Sequence, residues 1–241
     1  MQNTSALYQE ILAGPYSAEV RVRITGTDNA EHIVTVAELS GPVTITEGVF
    51  DTSYGIGNAV SAEIELNMLV PADWNPKRMA RIRPQVRITD GQRTSEWINR
   101  GVFYIDTRQQ TKNFAGENVL TIHGYDRMLM AEQMYASVNW ATKRDYAVVQ
   151  EICSFIGNGW SLDSDTLTYM QGLTPVTIKT PYNFTYREVL QSIAAIRCGN
   201  FIFDEMGKLK LIPLNSAPYA GHYLITEHGN PITLGGTKIV I

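Results

Sequence analysis

Residues 118–135 read NVLTIHGYDRMLMAEQMY, and the spacing of apolar side chains changes period inside them. Leu120 and Ile122 alternate with Thr121 and His123, the period of a strand with one buried face. From Asp126 onward Met128, Leu129 and Met130 crowd together behind a residue type that caps helices, so DRMLMAEQM is expected as a short helix. His123, Tyr125, Asp126 and Arg127 also bring four proton-moving or charged side chains into five positions. A Ser-His-Asp or Cys-His centre needs a nucleophile and an orienting acid together in space. Asp126 stands where an N-cap belongs and His123 on the strand face opposite Ile122. The segment reads as a boundary where strands end and helices begin.

Outward on the N-terminal side, NTSALYQEILAGP predicts a short helix with Asn3, Thr4 or Ser5 as cap and Gly14-Pro15 as stop. AEVRVRIT then alternates Val20, Val22 and Ile24 with charged residues. HIVTVAEL, PVTITEGV and AVSAEIELNML continue in the same period, the last aligning Ala62, Ile64, Leu66 and Met68. RIRPQVRIT and WINRGVFYIDTRQQ precede the opening stretch, and turn signals at Thr27-Asp28-Asn29, Gly41-Pro42, Asp90-Gly91 and Ala115-Gly116 separate these runs. Strands without a long helix between them make residues 16–124 an antiparallel sandwich or barrel.

Outward on the other side, DYAVVQEICSFIG predicts a helix capped by Asp145 and closed by Gly157. TYREVLQSIAAIRCG predicts another, with Thr185 and Glu188 as a capping box, Val189, Ile193 and Ile196 as buried stripe and Gly199 as stop. An offset of 40 residues aligns Tyr146 with Tyr186, Val149 with Val189, Ile156 with Ile196 and Gly159 with Gly199, a faint repeat of a kind chance also produces. Between the helices, LTYMQGLTPVTIKTPYN reads as loop plus one short strand. NFIFDEMGKLKLIPL is a hairpin turning at Met206-Gly207, HYLITE and TKIVI are further strands, and the sequence stops at Ile241 inside an apolar strand pattern. The resulting division is an N-terminal β-domain over 1–125, a helical insertion over 126–199 and returning strands over 200–241. The fold class is α+β, mainly β.

Composition excludes several functions. With 44% hydrophobic and 18% charged residues and a net charge of −4, the chain is ordinary for a soluble globular protein and carries no global basic character for nucleic acid or anionic membrane. No apolar run reaches the roughly 20 residues of a membrane helix, and MQNTSALYQEILAG lacks a basic start before an apolar core, so no secretory signal is expected. Cys153 and Cys198 are expected as reduced thiols. His32, His123, His222 and His228 are scattered, and the grouping of His222, Glu227 and His228 is broken by an expected turn, so no metal or other cofactor is expected. Asp163 with Asp165 and Asp204 with Glu205 fall in turn contexts. The GxG of YGIGNA, Gly55 and Gly57, precedes a strand instead of a helix, which fits turn geometry and not a dinucleotide fingerprint.

One charged pattern stands out. Lys77, Arg78, Arg81, Arg83, Arg87 and Arg93 form a basic run in which Arg81, Arg83 and Arg87 share a strand face opposite Ile82, Val86 and Ile88. Such a stripe is a subunit interface, a surface turned to a polyanion or lumen, or a plain solvated face.

The order of motifs carries a resemblance. AEIEL, then RIRPQVRIT, GVFYI and HGYDRM, then a helix followed by GNFIFDEMGKLKL, resembles the hub proteins of phage and prophage tails (baseplate hub and tail-associated structural proteins) over residues 40 to 214. The resemblance implies tail-tube-like β-barrel or sandwich domains with a small α-helical insertion, and a non-enzymatic role in a ring, as a homotrimer, joining tail tube to tip. It implies adjoining tail or baseplate proteins, passage of DNA through the channel without specific binding, assembly in the bacterial cytoplasm and a place in the virion tail. Many such proteins continue into a peptidoglycan-cleaving or receptor-binding part, and this sequence ends before one. Two other readings stay open at this stage: a cell-wall hydrolase using His123 and Asp126, and a glycan-binding module built on Trp74, Trp97, Trp140 or Trp160.

Overall fold

The computed structural model describes residues 4–49, 55–70, 74–136, 142–157, 159–179 and 183–214, with the backbone of 233–234 and 237–238. The first helix, α1 (Ala6–Leu12), is capped by Ser5, whose side chain accepts from Tyr8 N–H, and it buries Ile11. The strands follow: β1 (Ser17–Thr25), β2 (Glu31–Val34), β3 (Thr44–Thr46), β4 (Glu63–Leu69), β5 (Arg81–Thr89), β6 (Ile98–Asn99), β7 (Phe103–Lys112) and β8 (Asn118–Asp126). All join one antiparallel sheet in the order β2-β1-β5-β7-β8-β4-β3, with β6 beside β5. The antiparallel class expected as a sandwich or barrel is realised as an open sheet among the described residues, with no closed barrel, ending at β2 on one side and β3 on the other. Both end strands are short, and neither pairs with the other.

Alternation sorts the sheet into two faces. Register places Ile24 opposite Ile82, Ile82 opposite Phe103, and Leu66 opposite Ile122. These side chains pack with Val22, Val34, Ile64, Met68, Ile105 and Leu120 into one apolar cluster, all nearly inaccessible to solvent. Each fully buried side chain of this size contributes roughly 1.5–3 kcal/mol. At Gly124 a Cβ would lie 2.6 Å from the Tyr104 carbonyl oxygen, so this position on β8 needs glycine for close approach of β7. A bulge between Ile105 and Thr107 shifts the β7 register and turns the Asp106 carboxylate toward Arg78, whose Nη2 donates at 2.6 Å.

The remaining elements build a second apolar cluster. A 3-10 helix (Arg127–Glu132) is followed by β9 (Lys143–Arg144), α2 (Asp145–Ile156), α3 (Ser164–Gly172), β10 (Thr177–Ile178), α4 (Tyr186–Ile196) and a hairpin of β11 (Gly199–Phe203) and β12 (Leu209–Pro213). Met128, Val149, Ile152, Leu190, Ile193, Phe201 and Leu209 are among its members. Gly57 lies against α4, where a Cβ would meet that of Ala195 at 2.7 Å; its φ of 88° confirms a turn role for this glycine. Backbone bonds from Val60 N–H to Phe201 and from Phe201 N–H to Asn58 tie the segment before β4 to the hairpin.

Several expectations change in detail. The short helix expected after Asp126 forms as a 3-10 helix and stops at Glu132, where Gln133–Tyr135 leave extended to bond with Phe184 and Tyr186. Residues expected as loop from Leu167 belong to α3, capped by Asp163, whose carboxylate accepts from Asp165 and Thr166 N–H. Asp145 is the first residue of α2 and Arg144 the cap; the Asp145 carboxylate instead meets Arg197 in a buried ion pair between the ends of α2 and α4. Ile196 lies half exposed beyond the apolar stripe, which comprises Tyr186, Val189, Leu190, Ile193 and Ala194. The stop after α4 is Cys198, at φ 48°, while Gly199 opens β11 where a Cβ would lie 2.6 Å from the Ile212 carbonyl oxygen. The expected strand HYLITE lies outside the described residues; of TKIVI, Thr237–Lys238 pairs with Thr233–Leu234 and the rest lies outside.

Candidate interaction face

The polar face of the sheet is built by direct cross-strand pairs. Along β1 and β5, Glu19 faces Arg87, Arg21 faces Gln85, Arg23 faces Arg83 and Thr25 faces Arg81. The face continues from Arg81 to Tyr104, from Tyr104 to Tyr125 and from Tyr125 to Glu63, with His123 facing Glu65. The β1–β5 half is thus basic, and the β4–β8 half carries carboxylates and a histidine.

Some of these charges are satisfied. Arg87 Nη2 meets Glu19 at 2.6 Å and Arg23 Nη2 meets Glu31 at 2.8 Å. The Glu31 carboxyl is held below its ordinary value, chiefly by the Arg23 hydrogen bond. Arg21 Nε donates to Gln85 at 2.8 Å, and its guanidinium lies 4.1 Å from the Trp97 ring centroid, with that of Arg87 at 4.5 Å from the same ring. Such cation–π contacts contribute about 0.5–1 kcal/mol at exposed sites.

Arg81 and Arg83 differ. Among the described residues neither forms an ion pair, and the Nε of each is buried without a hydrogen-bond partner. Arg83 also sits opposite Arg23, a like-charge juxtaposition that destabilises a strand pair. Its pKa is lowered by burial first, then by the charges of Arg81, Arg23 and Arg127. The three sequence-predicted arginines do share one face, but only Arg87 is neutralised there. Sequence reading missed Arg21, Arg23 and Trp97. The alternation of AEVRVRIT holds the signal for the first two; the pairing of β1 with β5 and the return of Trp97 over that face hold none.

The grouping around the strand–helix boundary separates. His123 Nε2 lies 3.4 Å from Glu63 and its ring stacks edge-on with Tyr125. Asp126 belongs to the other face, opposite Phe103. Its carboxylate accepts from Ser61 Oγ, Ala62 N–H and Met128 N–H, each at 2.9 Å. Burial pushes its pKa up to about 6 against the opposing effect of those donors. Asp126 is therefore a cap of the 3-10 helix and a clasp to the segment leading into β4, and it does not orient His123. Asp204 likewise caps the hairpin turn, accepting from Met206 and Lys208 N–H.

Among the described residues no group of histidine, cysteine and carboxylate side chains is arranged to hold a metal ion; His222, Glu227 and His228 lie outside them. Trp160 is buried edge-to-face against Phe203, Trp74 packs on His32 at the sheet core and Trp97 lies under the arginines, so these three form no shared stacking platform; Trp140 lies outside the described residues. No described helix is long and apolar enough to cross a membrane.

No protein-family model matches the chain, and no curated protein matches it. In structure it is similar to the tail protein of Neisseria meningitidis MC58, with 14% sequence identity and a TM-score of 0.51, covering 84% of this chain and 53% of that one. It is also similar to the 43 kDa tail protein of prophage MuSo2 from Shewanella oneidensis, at 15% identity and a TM-score of 0.49, covering 90% and 58%. A chain of the Francisella PdpA–VgrG complex matches at 9% identity and 0.49, covering 89% and 32%. The chain thus spans between a half and three fifths of the length of the two tail proteins. At 14% identity the likeness to the Neisseria tail protein speaks for the fold alone, which is α+β and mainly β.

Proposed function

We propose that the chain is a structural component of a phage or prophage tail, a subunit of the baseplate or tail-tip hub ring that connects tail tube to tip. The observation that carries this reading is the sheet itself: eight strands ending in two short open edges, β2 and β3, on the fold shared with the Neisseria tail protein. A sheet with two dissimilar edges suits a heterologous contact, in which an edge of one copy meets a different surface of the next and the ring closes by rotation. The assembly is a homotrimer with other tail or baseplate proteins above and below it, and DNA passes through its channel without specific recognition. Its role is non-enzymatic and needs no cofactor. Residues 1–125 supply the ring-forming β-domain, 126–199 a helical insertion and 200–241 returning strands. The particle is assembled in the bacterial cytoplasm and the subunit stays in the tail.

The test is a mass measurement at micromolar concentration, followed by imaging of the assembled species. A three-fold ring with a central channel is the expected result; a strict monomer that stays monomeric with its neighbouring tail proteins present would remove the reading.

A further inference from the structure

From the β1–β5 half of the polar face we infer a phosphate-binding site centred on Arg81 and Arg83. Two observations meet there. The first is unspent charge: both guanidinium groups lack a carboxylate partner among the described residues, both Nε atoms are buried and unbonded, and Arg23 faces Arg83 directly. The second is a cavity of about 410 Å³ at the Arg81 end, where Thr25, Thr27, Asn29, Arg81 and Tyr104 line one part and Gly26 with the apolar Met79 and Met130 the rest. Two hydroxyl-bearing threonines, an amide, a phenol and a guanidinium are oxyanion donors, and no carboxylate lines the space. The nearby carboxylate of Glu31 is engaged chiefly by Arg23, with the charge of Arg81 a lesser influence on it. Asn29 and Met79 both hold positive φ, at 64° and 68°, so the walls of the cavity keep a conformation that side chains other than glycine rarely adopt.

The ligand chemistry is a phosphate oxyanion. An isolated guanidinium pair bonds equally to a carboxylate of another chain, but the donor-rich cavity beside it accommodates a tetrahedral anion with several acceptor oxygens. Arg81 and Arg83 are two residues apart on one strand, about 6.6 Å at roughly 3.3 Å per residue, so two neighbouring phosphates of a nucleic-acid backbone or one free phosphate can be held. The contact reads charge and no base edge, because the arginines lie on a half-buried sheet face and not on an element that enters a groove.

The inference goes beyond the tail reading and stands apart from it: it needs only the sheet face, so a chain that proves monomeric still shows it. Fluorescence anisotropy with a short duplex DNA across 20–200 mM salt compares wild type with Arg81→Gln/Arg83→Gln. A parallel arm follows thermal unfolding with added inorganic phosphate. For duplex DNA the expected result is binding that weakens with salt, and a log–log salt slope shallower by about 1.8 in the double variant, roughly 0.9 per phosphate contact removed. Arg81→Lys/Arg83→Lys keeps most of that slope. If phosphate raises the wild-type midpoint and not that of the glutamine variant while DNA does not bind, the site is one for free phosphate. Equal behaviour of wild type and glutamine variant in both arms overturns the inference. So does a glutamine variant whose change is confined to oligomeric mass, which would assign these arginines to the carboxylates of a neighbouring subunit. Arg93→Gln, in the turn after β5 with a guanidinium that pairs with Asp90 and Glu10, leaves both arms unchanged and controls for the loss of one surface positive charge.

Discussion

At the scale of single residues, Asp126 shows how far position outweighs chemical identity. It sits three positions from His123 in sequence and looks catalytic, yet three donors from the segment before β4 and the 3-10 helix close around it, and the charge of Arg187 also favours its ionised form. Removing the carboxylate orphans a hydroxyl and two backbone N–H groups in a buried place, each worth about 1 kcal/mol or more. Asp126→Ala is therefore expected to lose about 3 kcal/mol in urea unfolding, while His123→Ala, on the half-exposed polar face, changes stability by less than about 0.5 kcal/mol. The pH dependence has a definite sign. The folded pKa, about 6, lies above the ordinary 3.8, so folding favours the protonated acid. The contribution of this group is full below about pH 4 and is lost as pH rises through 6. Subtracting the stability of Asp126→Ala from that of wild type between pH 4 and 8 should give a difference that shrinks with rising pH and levels off above about 7. A difference that grows over that range would contradict the burial argument.

At the scale of elements, the junctions decide more than the interiors. Gly124 is where β8 passes close to the β7 backbone, and Gly124→Ala drives a methyl into the Tyr104 carbonyl and Ile64. A loss of roughly 2–3 kcal/mol is expected, since backbone and a packed core must both shift. Cys198 presents the opposite case. It occupies a left-handed position after α4 that glycine fills without strain, so Cys198→Gly should gain about 1 kcal/mol, read as a raised denaturant midpoint with an unchanged slope. These two positions also mark what the amino-acid order makes legible. Local chemistry announced the strands of the sheet, the Thr185–Glu188 capping box, realised with both of its hydrogen bonds, and the hairpin turning at Gly207. It misplaced the stop of α4 because Cys198–Gly199 offers two candidates, and only the packing of Gly199 on Ile212 chooses between them. It missed α3 because that helix has few apolar residues and a weak stripe; its chief signal was Asp163, a cap read as a turn carboxylate. The face that carries the arginines was half legible for the same reason. Alternation fixes which side chains share a strand face, but nothing local says which strands will lie together.

At the scale of the whole molecule, the sheet poses a problem that the protomer leaves unsolved. Open edges present unpaired backbone N–H and C=O groups and invite association, and proteins blunt them with charge, brevity or cover. Here β2 and β3 are short, but β3 is exposed along Thr44 and Thr46 and carries no charge at all. The adjoining surface is a mainly apolar groove of about 850 Å³ whose lining includes Val20, Val36, Leu39, Val43, Ile45 and Pro84, with Gln85 and Arg100 among its polar members. An uncharged edge beside an apolar groove is what a subunit contact needs and what an isolated domain avoids. If the ring closes through this edge, lysines at its exposed positions should block closure without touching the core, since Ile45 and not the threonines points toward the buried cluster. Thr44→Lys/Thr46→Lys is therefore expected to sediment as a monomer under conditions where wild type forms the proposed trimer, with an unfolding midpoint in the monomeric state unchanged to within about a degree or two. Because protomer and assembly are measured separately, a variant that still trimerises would move the contact elsewhere on the sheet. The groove would then be the next surface to probe, through Val36→Lys at its most exposed apolar side chain.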